Sequence, residues 1–317
     1  QINTCLIKEV VHIYWYIYKI YAMISIKINS SSLQELNLYK RGELLMNQRK
    51  PLKELNLLDK FLFDEAMDDP ENVKTMLDII LSQNTNLKHP PQTEKEQRTS
   101  TDNRQIRLDV YAIDEDDVIY EAEAQKENTH NLPKRSRLYQ GIIDSKLLPP
   151  GVIDFNLLNE VLIVLIMPFD LFGYGLYRYT FHMRCEEVPE LKLDDGATRI
   201  FLNTRGKHPE LVSLELIELL KYMEHSTDEV SEVCKSERIQ EMHRRICQIK
   251  ASEKTEVKYM QTWEERILLK QEGGKEMLEK LIKKKLEKNL SVEQIAEMLE
   301  IDILKVENII KEIHNEK

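Results

Sequence analysis

At 317 residues and 42% hydrophobic content, the chain is longer than one compact domain needs and apolar enough to build a sizeable core, which predicts a globular domain with a helical extension. Its net charge of −10 weighs against a protein that holds nucleic acid by bulk charge, because phosphate contacts come from Lys and Arg. Cys5, Cys185, Cys234 and Cys247 show no CxxC spacing, so neither a disulfide framework nor a zinc site is indicated, and a reducing cytoplasm is the expected setting.

Residues 1–45 differ from the rest. Val10 to Ile28 is rich in Ile, Tyr and Val, but Lys19 and Lys27 make it too charged for a membrane span, and no small-residue cleavage site follows it. The expectation is an over-extended start with Met46 as the true initiator; the alternative is an extra helix or strand packed on the domain. From Asn56 the pattern is helical, with Leu58, Phe61, Leu62 and Phe63. Asp69-Pro70 then reads as a second helix start, followed by the apolar stripe Val73, Met76, Leu77, Ile80 and Leu81. Gln83 to Asp102 is polar, contains Pro90-Pro91 and predicts a loop.

The informative stretch is Arg104 to Gln125. Ile106, Leu108 and Val110 alternate with Arg107, Asp109 and Tyr111, and Tyr120, Ala122 and Ala124 alternate with Glu121, Glu123 and Gln125. The acidic turn Asp114 to Asp117 between them makes the whole a β-hairpin. With the turn centred on Glu115 to Asp117, Asp109 faces Glu123. Facing residues on antiparallel strands have Cβ atoms about 4.5–5.5 Å apart, where like charges destabilise a sheet unless something neutralises them. A divalent cation is one neutraliser, and Mg²⁺ suits one or two carboxylates with waters and phosphate oxygens. By spacing alone, solvated edge charges are the plainer reading.

Beyond the hairpin, Pro133 to Leu148 reads as a helix bearing Lys134, Arg135, Arg137 and Tyr139, either a solvated basic face or a phosphate-contacting one. Glu160 to Met167 is a buried central strand. Tyr174 to Met183 and Thr198 to Asn203 are further strands, and His182 within the former fits a packed or hydrogen-bonded histidine. Pro209 to Met223 predicts a helix covering the sheet. Ser226 to Lys288 is Lys/Glu-rich and helical, with a break or hinge expected at Gly273-Gly274. Ser291 to Gln294 resembles a capping box, and Asn289 to Ile313 looks like a helix-turn-helix whose second helix carries few groove-reading side chains.

Six blocks in order, Leu55 to Phe63, Arg107 to Val110, Glu123 to Gln125, Leu132 to Gln140, Phe172 to Phe181 and Asp195 to Thr204, resemble the PD-(D/E)XK nuclease family transposases, also called recombination-promoting nucleases. The resemblance covers Leu52 to Lys207. It implies an α/β fold, a mixed-sheet restriction-endonuclease-like core flanked by helices, with an α-helical C-terminal extension. Divided accordingly, the chain has an extension at 1–45, a nuclease-like domain at 46–225, a charged helical segment at 226–288 and a helical pair at 289–317.

The implied activity is Mg²⁺- or Mn²⁺-dependent endonuclease cleavage of DNA, serving recombination or mobile-element transfer. Asp109 and Glu123 bind the metal and Gln125 takes the third catalytic position, where the superfamily's E-x-K pattern has a lysine. Lys126 points to the other strand face and is a poor substitute. Glu121 is either a further ligand or a solvated edge charge, and Asp59, Glu65 and Glu71 are helix carboxylates open for the same site. Lys134, Arg135, Arg137 and Tyr139 are the expected nucleic-acid contacts. A catalytically inactive DNA- or protein-binding module on the same fold is the alternative, and strand transfer ranks third. No membrane partner is expected, and self-association through the C-terminal helices is.

Overall fold

The alternating and apolar runs of the sequence become one mixed sheet in the computed structural model, which describes residues 49–97 and 106–315. The 1–45 extension and Met46 lie outside the described residues, as do 98–105. Residues 52–317 form a single unit.

Its strands are β1 (Gln92–Gln97), β2 (Ile106–Ile113), β3 (Ile119–Ala124), β4 (Val161–Met167), β5 (Arg178–Phe181) and β6 (Ala197–Asn203). They lie in the order β1-β2-β3-β4-β6-β5. The first three form an antiparallel meander, β4 runs parallel to both β3 and β6, and β5 closes the far edge antiparallel to β6. Every residue of β4 but Leu162 is buried. That fits its continuous apolar run, since a central parallel strand is covered on both faces.

Helices cover both faces. α1 (Lys60–Met67) and α2 (Pro70–Leu81) precede the sheet, and α3 (Leu132–Asp144) connects β3 to β4. α4 (Leu214–Glu224), α5 (Asp228–Val233), α6 (Glu237–Ala251) and the long α7 (Glu253–Leu286) follow it. α2 starts as its sequence requires: Asp69 accepts from the Glu71 backbone N–H at 3.0 Å and Pro70 occupies the first turn, where no N–H is needed. Val73, Met76, Leu77 and Ile80 then face the sheet, completely buried.

One core cluster joins α1, α2, α4 and α6 to Val110, Ala122, Val164 and Ile166; the other joins Leu132, Tyr139, Ile142 and Ile143 of α3 to Tyr111, Ile163, Leu165 and Phe201. The first extends past the expected boundary at 225, through Ile239, Met242 and Ile246 to Tyr259. α8 (Val292–Leu299) and α9 (Ile303–Asn315) build a separate small core against Ile282 near the end of α7. The Ser291 capping box forms as its sequence suggests, with Gln294 reaching back to the Ser291 backbone.

Three expectations are corrected. Gln92 to Gln97 is not loop but an edge strand, because its backbone pairs with β2 while its polar side chains suit an edge. α7 runs unbroken through Gly273 and Gly274; a cost of about 1 kcal/mol per exposed glycine is too small to end a helix extended on both sides. Leu108 packs with Tyr111 rather than with Val110, so the alternation of β2 is not strict near its start.

Candidate metal centre

The hairpin register pairs Val110 with Ala122 and Tyr111 with Glu121. Its next step sets Asp109 opposite Glu123, one position beyond the last paired residues. The central position of β3 in the sheet and the cover supplied by α3 turn these side chains away from water. Asp109 is 5% exposed, Glu123 8% and Glu121 0%. Glu121 is therefore not a solvated edge charge: it is one of three buried carboxylates whose charges act on one another.

Asp109 and Glu123 each form an ion pair. Lys60 on α1 binds Asp109 and also reaches Asp64 one turn along its own helix, at 3.1 Å. Arg135 on α3 donates from Nη2 to Glu123 at 2.6 Å and to Gln125 Oε1 at 2.5 Å. Among the described residues, neither oxygen of Glu121 has a hydrogen-bond partner, and Glu123 Oε2 has none. A buried carboxylate without partners costs several kcal/mol if charged, so such groups stay protonated or bind a cation.

The acid–base consequences follow from that burial. Burial first, and then the neighbouring Glu123 and Asp109 charges, push the Glu121 carboxyl well above the usual carboxylate range, against the pull of Arg135 and Lys60. Glu123 is pushed up to about 7, again mainly by burial and further by Asp109, with Arg135 opposing. Burial alone would lower Lys60, but Asp109 and Asp64 outweigh it and its ammonium ends above its ordinary value. Glu123 thus exchanges its proton near neutrality, beside a Glu121 held above the carboxylate range and a lysine held charged.

The expected phosphate contacts divide in two. Helical spacing puts Arg135 and Tyr139 on one face of α3, turned inward, where Arg135 lies 5.9 Å from the Tyr139 ring centre. Burial and Glu123 push the Tyr139 phenol up, so it stays protonated. Lys134 and Arg137 stand exposed on the outer face. Gln125 is committed within the chain, its Nε2 donating to the Glu127 carbonyl at 2.6 Å.

Of the helix carboxylates left open, Asp59 pairs with Lys126 and Glu65 with Lys258, while Glu71 sits exposed in the first turn of α2. The residues the sequence did not single out are Lys60 and Asp64. Their i,i+4 spacing was visible, but the approach of Lys60 to Asp109, 49 residues away, was not. The acidic turn belongs to the fold: Asp114 accepts from Tyr120 Oη at 2.6 Å and from the Asp116 and Val118 amides. Beside Lys60 opens a groove of about 310 Å³, lined by both signs of charge, including Arg107, Lys258 and Arg266 but also Asp64, Glu65 and Glu265.

No family model, curated protein or solved structure matches this chain. Among the described residues no helix is long and apolar enough to cross a membrane.

Proposed function

We propose that the chain is a divalent-metal-dependent endodeoxyribonuclease of the PD-(D/E)XK type, with a restriction-endonuclease-like core and with Asp109, Glu121 and Glu123 holding the cation. One observation carries the reading: fully buried Glu121, with neither oxygen partnered among the described residues, feels the charges of Glu123 and Asp109. A carboxylate-rich oxygen donor set of this kind fits Mg²⁺ or Mn²⁺. When bound, the ion supplies Lewis acidity to the scissile phosphate and lowers the pKa of a water.

The chain's own residues do the rest. Glu121 and Glu123 would give up protons to hold the ion; Glu123, pushed up to about 7, does so readily only near neutral pH and above, and burial likewise raises Glu121. Glutamine at position 125 brings no positive charge, and both ends of its amide are engaged within the chain. Lys60 from α1 fills the electrostatic role of the missing lysine, with Arg135 holding Glu123 and Gln125 in one geometry. Exposed Lys134 and Arg137 on α3 contact the DNA backbone, as does the cationic side of the groove at Lys258 and Arg266. Val257 and Leu268, exposed eleven residues apart and so on one face of α7, are the surface for self-association.

A second reading, an inactive module that binds DNA or protein, is favoured by the same internal cations: Lys60 and Arg135 already neutralise Asp109 and Glu123 without any metal. Plasmid nicking separates the two. The enzyme nicks or cuts DNA with Mg²⁺ or Mn²⁺, and Asp109→Ala and Glu123→Ala each abolish cutting. Cleavage that persists unchanged in both variants removes the site from the reaction, and DNA binding without any cutting selects the second reading.

A further inference from the structure

Away from the hairpin, α6 carries His243 and Cys247 one helical turn apart, so both leave the same face of the helix. Asp228, the first residue of α5, meets them. His243 Nε2 lies 2.8 Å from Asp228 Oδ1 and 3.4 Å from Cys247 Sγ, and Sγ lies 3.9 Å from Asp228 Oδ1. In the cysteine–histidine–acid relays of nucleophilic catalysis, thiol and acid sit on opposite ring nitrogens. Here both converge on Nε2, and Nδ1 is occupied by Tyr222 Oη at 2.9 Å. A proton relay cannot run through that arrangement. Three different donor atoms within 4.8 Å of one another suit a metal ion.

We propose that Asp228, His243 and Cys247 form a zinc site, separate from the hairpin, whose fourth position faces solvent. Zinc bonds of about 2.0–2.3 Å at tetrahedral angles imply donor separations of roughly 3.3–3.6 Å. The three donors lie within 4.8 Å of one another, but Sγ is almost as near Nδ1 (3.8 Å) as Nε2, so the Cys247 side chain must swing toward the Nε2 lone pair to complete the site. A thiolate, an imidazole and a carboxylate together select zinc over Mg²⁺ or Ca²⁺, which prefer all-oxygen sites.

The surrounding groups are those a metal-bound histidine uses. With Nε2 on the metal, Nδ1–H donates to Tyr222 Oη, and fully buried Tyr222 fixes the ring's orientation. His243 is buried while Asp228 and Cys247 are exposed, so the site is anchored within and open outside. Burial and the Asp228 charge keep the metal-free Cys247 thiol protonated; zinc displaces that proton to solvent and leaves the thiolate on the metal. The ligands come from a His-x₃-Cys step within one helix plus a carboxylate from the helix before it, which is why the absence of CxxC spacing did not reveal them. Bound zinc would clip α5 to α6 and, through Tyr222, to α4.

The test uses the full-length chain stripped with EDTA. Co²⁺ is titrated in while absorption is recorded, and Zn²⁺ affinity is measured by competition with a chromophoric chelator. The expected result is one equivalent of tightly held metal and a thiolate-to-cobalt band in the near ultraviolet. Cys247→Ser abolishes the band, and both Cys247→Ser and Asp228→Asn weaken Zn²⁺ at least tenfold. Each replaces an exposed side chain, and far-ultraviolet dichroism verifies that the fold is kept. Glu123→Gln, in the other site, leaves band and affinity unchanged. Absence of the band, or a Zn²⁺ affinity that ignores Cys247→Ser or tracks Glu123→Gln instead, overturns the proposal.

Discussion

Arg135 grips one oxygen of Glu123 at 2.6 Å and leaves the other without a partner among the described residues. The pair is largely buried, with side chains 22% and 10% exposed, so each member depends on the other. Removing one side of a buried pair costs about 3–5 kcal/mol when the remaining charge cannot be neutralised. Glu123 can be neutralised, by a proton. Arg135→Ala should therefore destabilise the metal-free chain by roughly 3 kcal/mol at pH 8, and by much less at pH 5, where the carboxyl is protonated. Urea melts in EDTA at the two pH values measure this, and an equal loss at both refutes the pairing as its cause.

Glu121→Gln separates stability from metal binding. The substitution replaces a buried, partnerless carboxyl with a neutral group of the same size, so the metal-free chain at pH 8 should gain about 1–3 kcal/mol. The same change should erase most of the stabilisation that Mn²⁺ gives the parent, since a ligand stabilises only the state that binds it. Differential scanning fluorimetry with EDTA or with Mn²⁺ reads both effects. A variant that melts lower than the parent in EDTA would show that Glu121 has stabilising partners after all.

The pH dependence of the metal-free chain has a definite sign. Glu123 is raised from its ordinary 4.5 to about 7, chiefly by burial, so the folded chain binds that proton more tightly than the unfolded chain. The associated stability is fully present below about pH 4.5 and is lost as pH rises through about 7; Glu121, also raised by burial, adds a loss of the same sign. Under the nuclease reading divalent ions compete with those protons, so an Mn²⁺-induced shift in melting temperature should grow across the same window. Glu123→Gln flattens its share of both profiles.

How much of the fold and site is legible in the sequence depends on the range over which each feature is encoded. β4 follows from its own apolar run, and α2 from Asp69-Pro70 and one stripe. The approach of Asp109 to Glu123 follows from strand parity and the turn between them. β1 escapes a sequence reading because a polar edge strand differs from a loop chiefly in its backbone pairing with its partner, β2. Glu121 looks like an edge charge because the cover over β3 comes from α3, later in the chain, and from β4 pairing beyond it. Lys60 is invisible as a site residue for the same reason: its contact with Asp109 exists only once α1 packs beside β2.

Under the nuclease reading, Lys60 and a divalent ion compete for Asp109. Exposed ion pairs are worth about 0.2–1 kcal/mol, and Lys60 is 38% exposed, so Lys60→Met should tighten Mn²⁺ binding by only about threefold. Under the nuclease reading it should nevertheless slow cleavage, because it removes the positive charge that Gln125 cannot supply. Calorimetric Mn²⁺ titration alongside the nicking assay distinguishes the two effects. Weaker metal binding in Lys60→Met would mean that the lysine organises Asp109 rather than competing for it.

The C-terminal pair α8 and α9 has its own core, built from Ile282, Ile295, Ala296, Val306, Ile309 and Ile313, none of which belongs to either cluster of the sheet. Ile295 is fully buried there, and truncation of a buried isoleucine to alanine typically costs about 2–5 kcal/mol. A core of this size has little stability in reserve, so Ile295→Ala should open α8 and α9 without unfolding the sheet. Hydrogen exchange followed by mass spectrometry should show lost protection in peptides from 290–315 and unchanged protection in β3 and β4. If the strands lose protection to the same extent, the helical pair and the sheet are one cooperative unit, joined through α7, and the separate cores do not correspond to separate folding units.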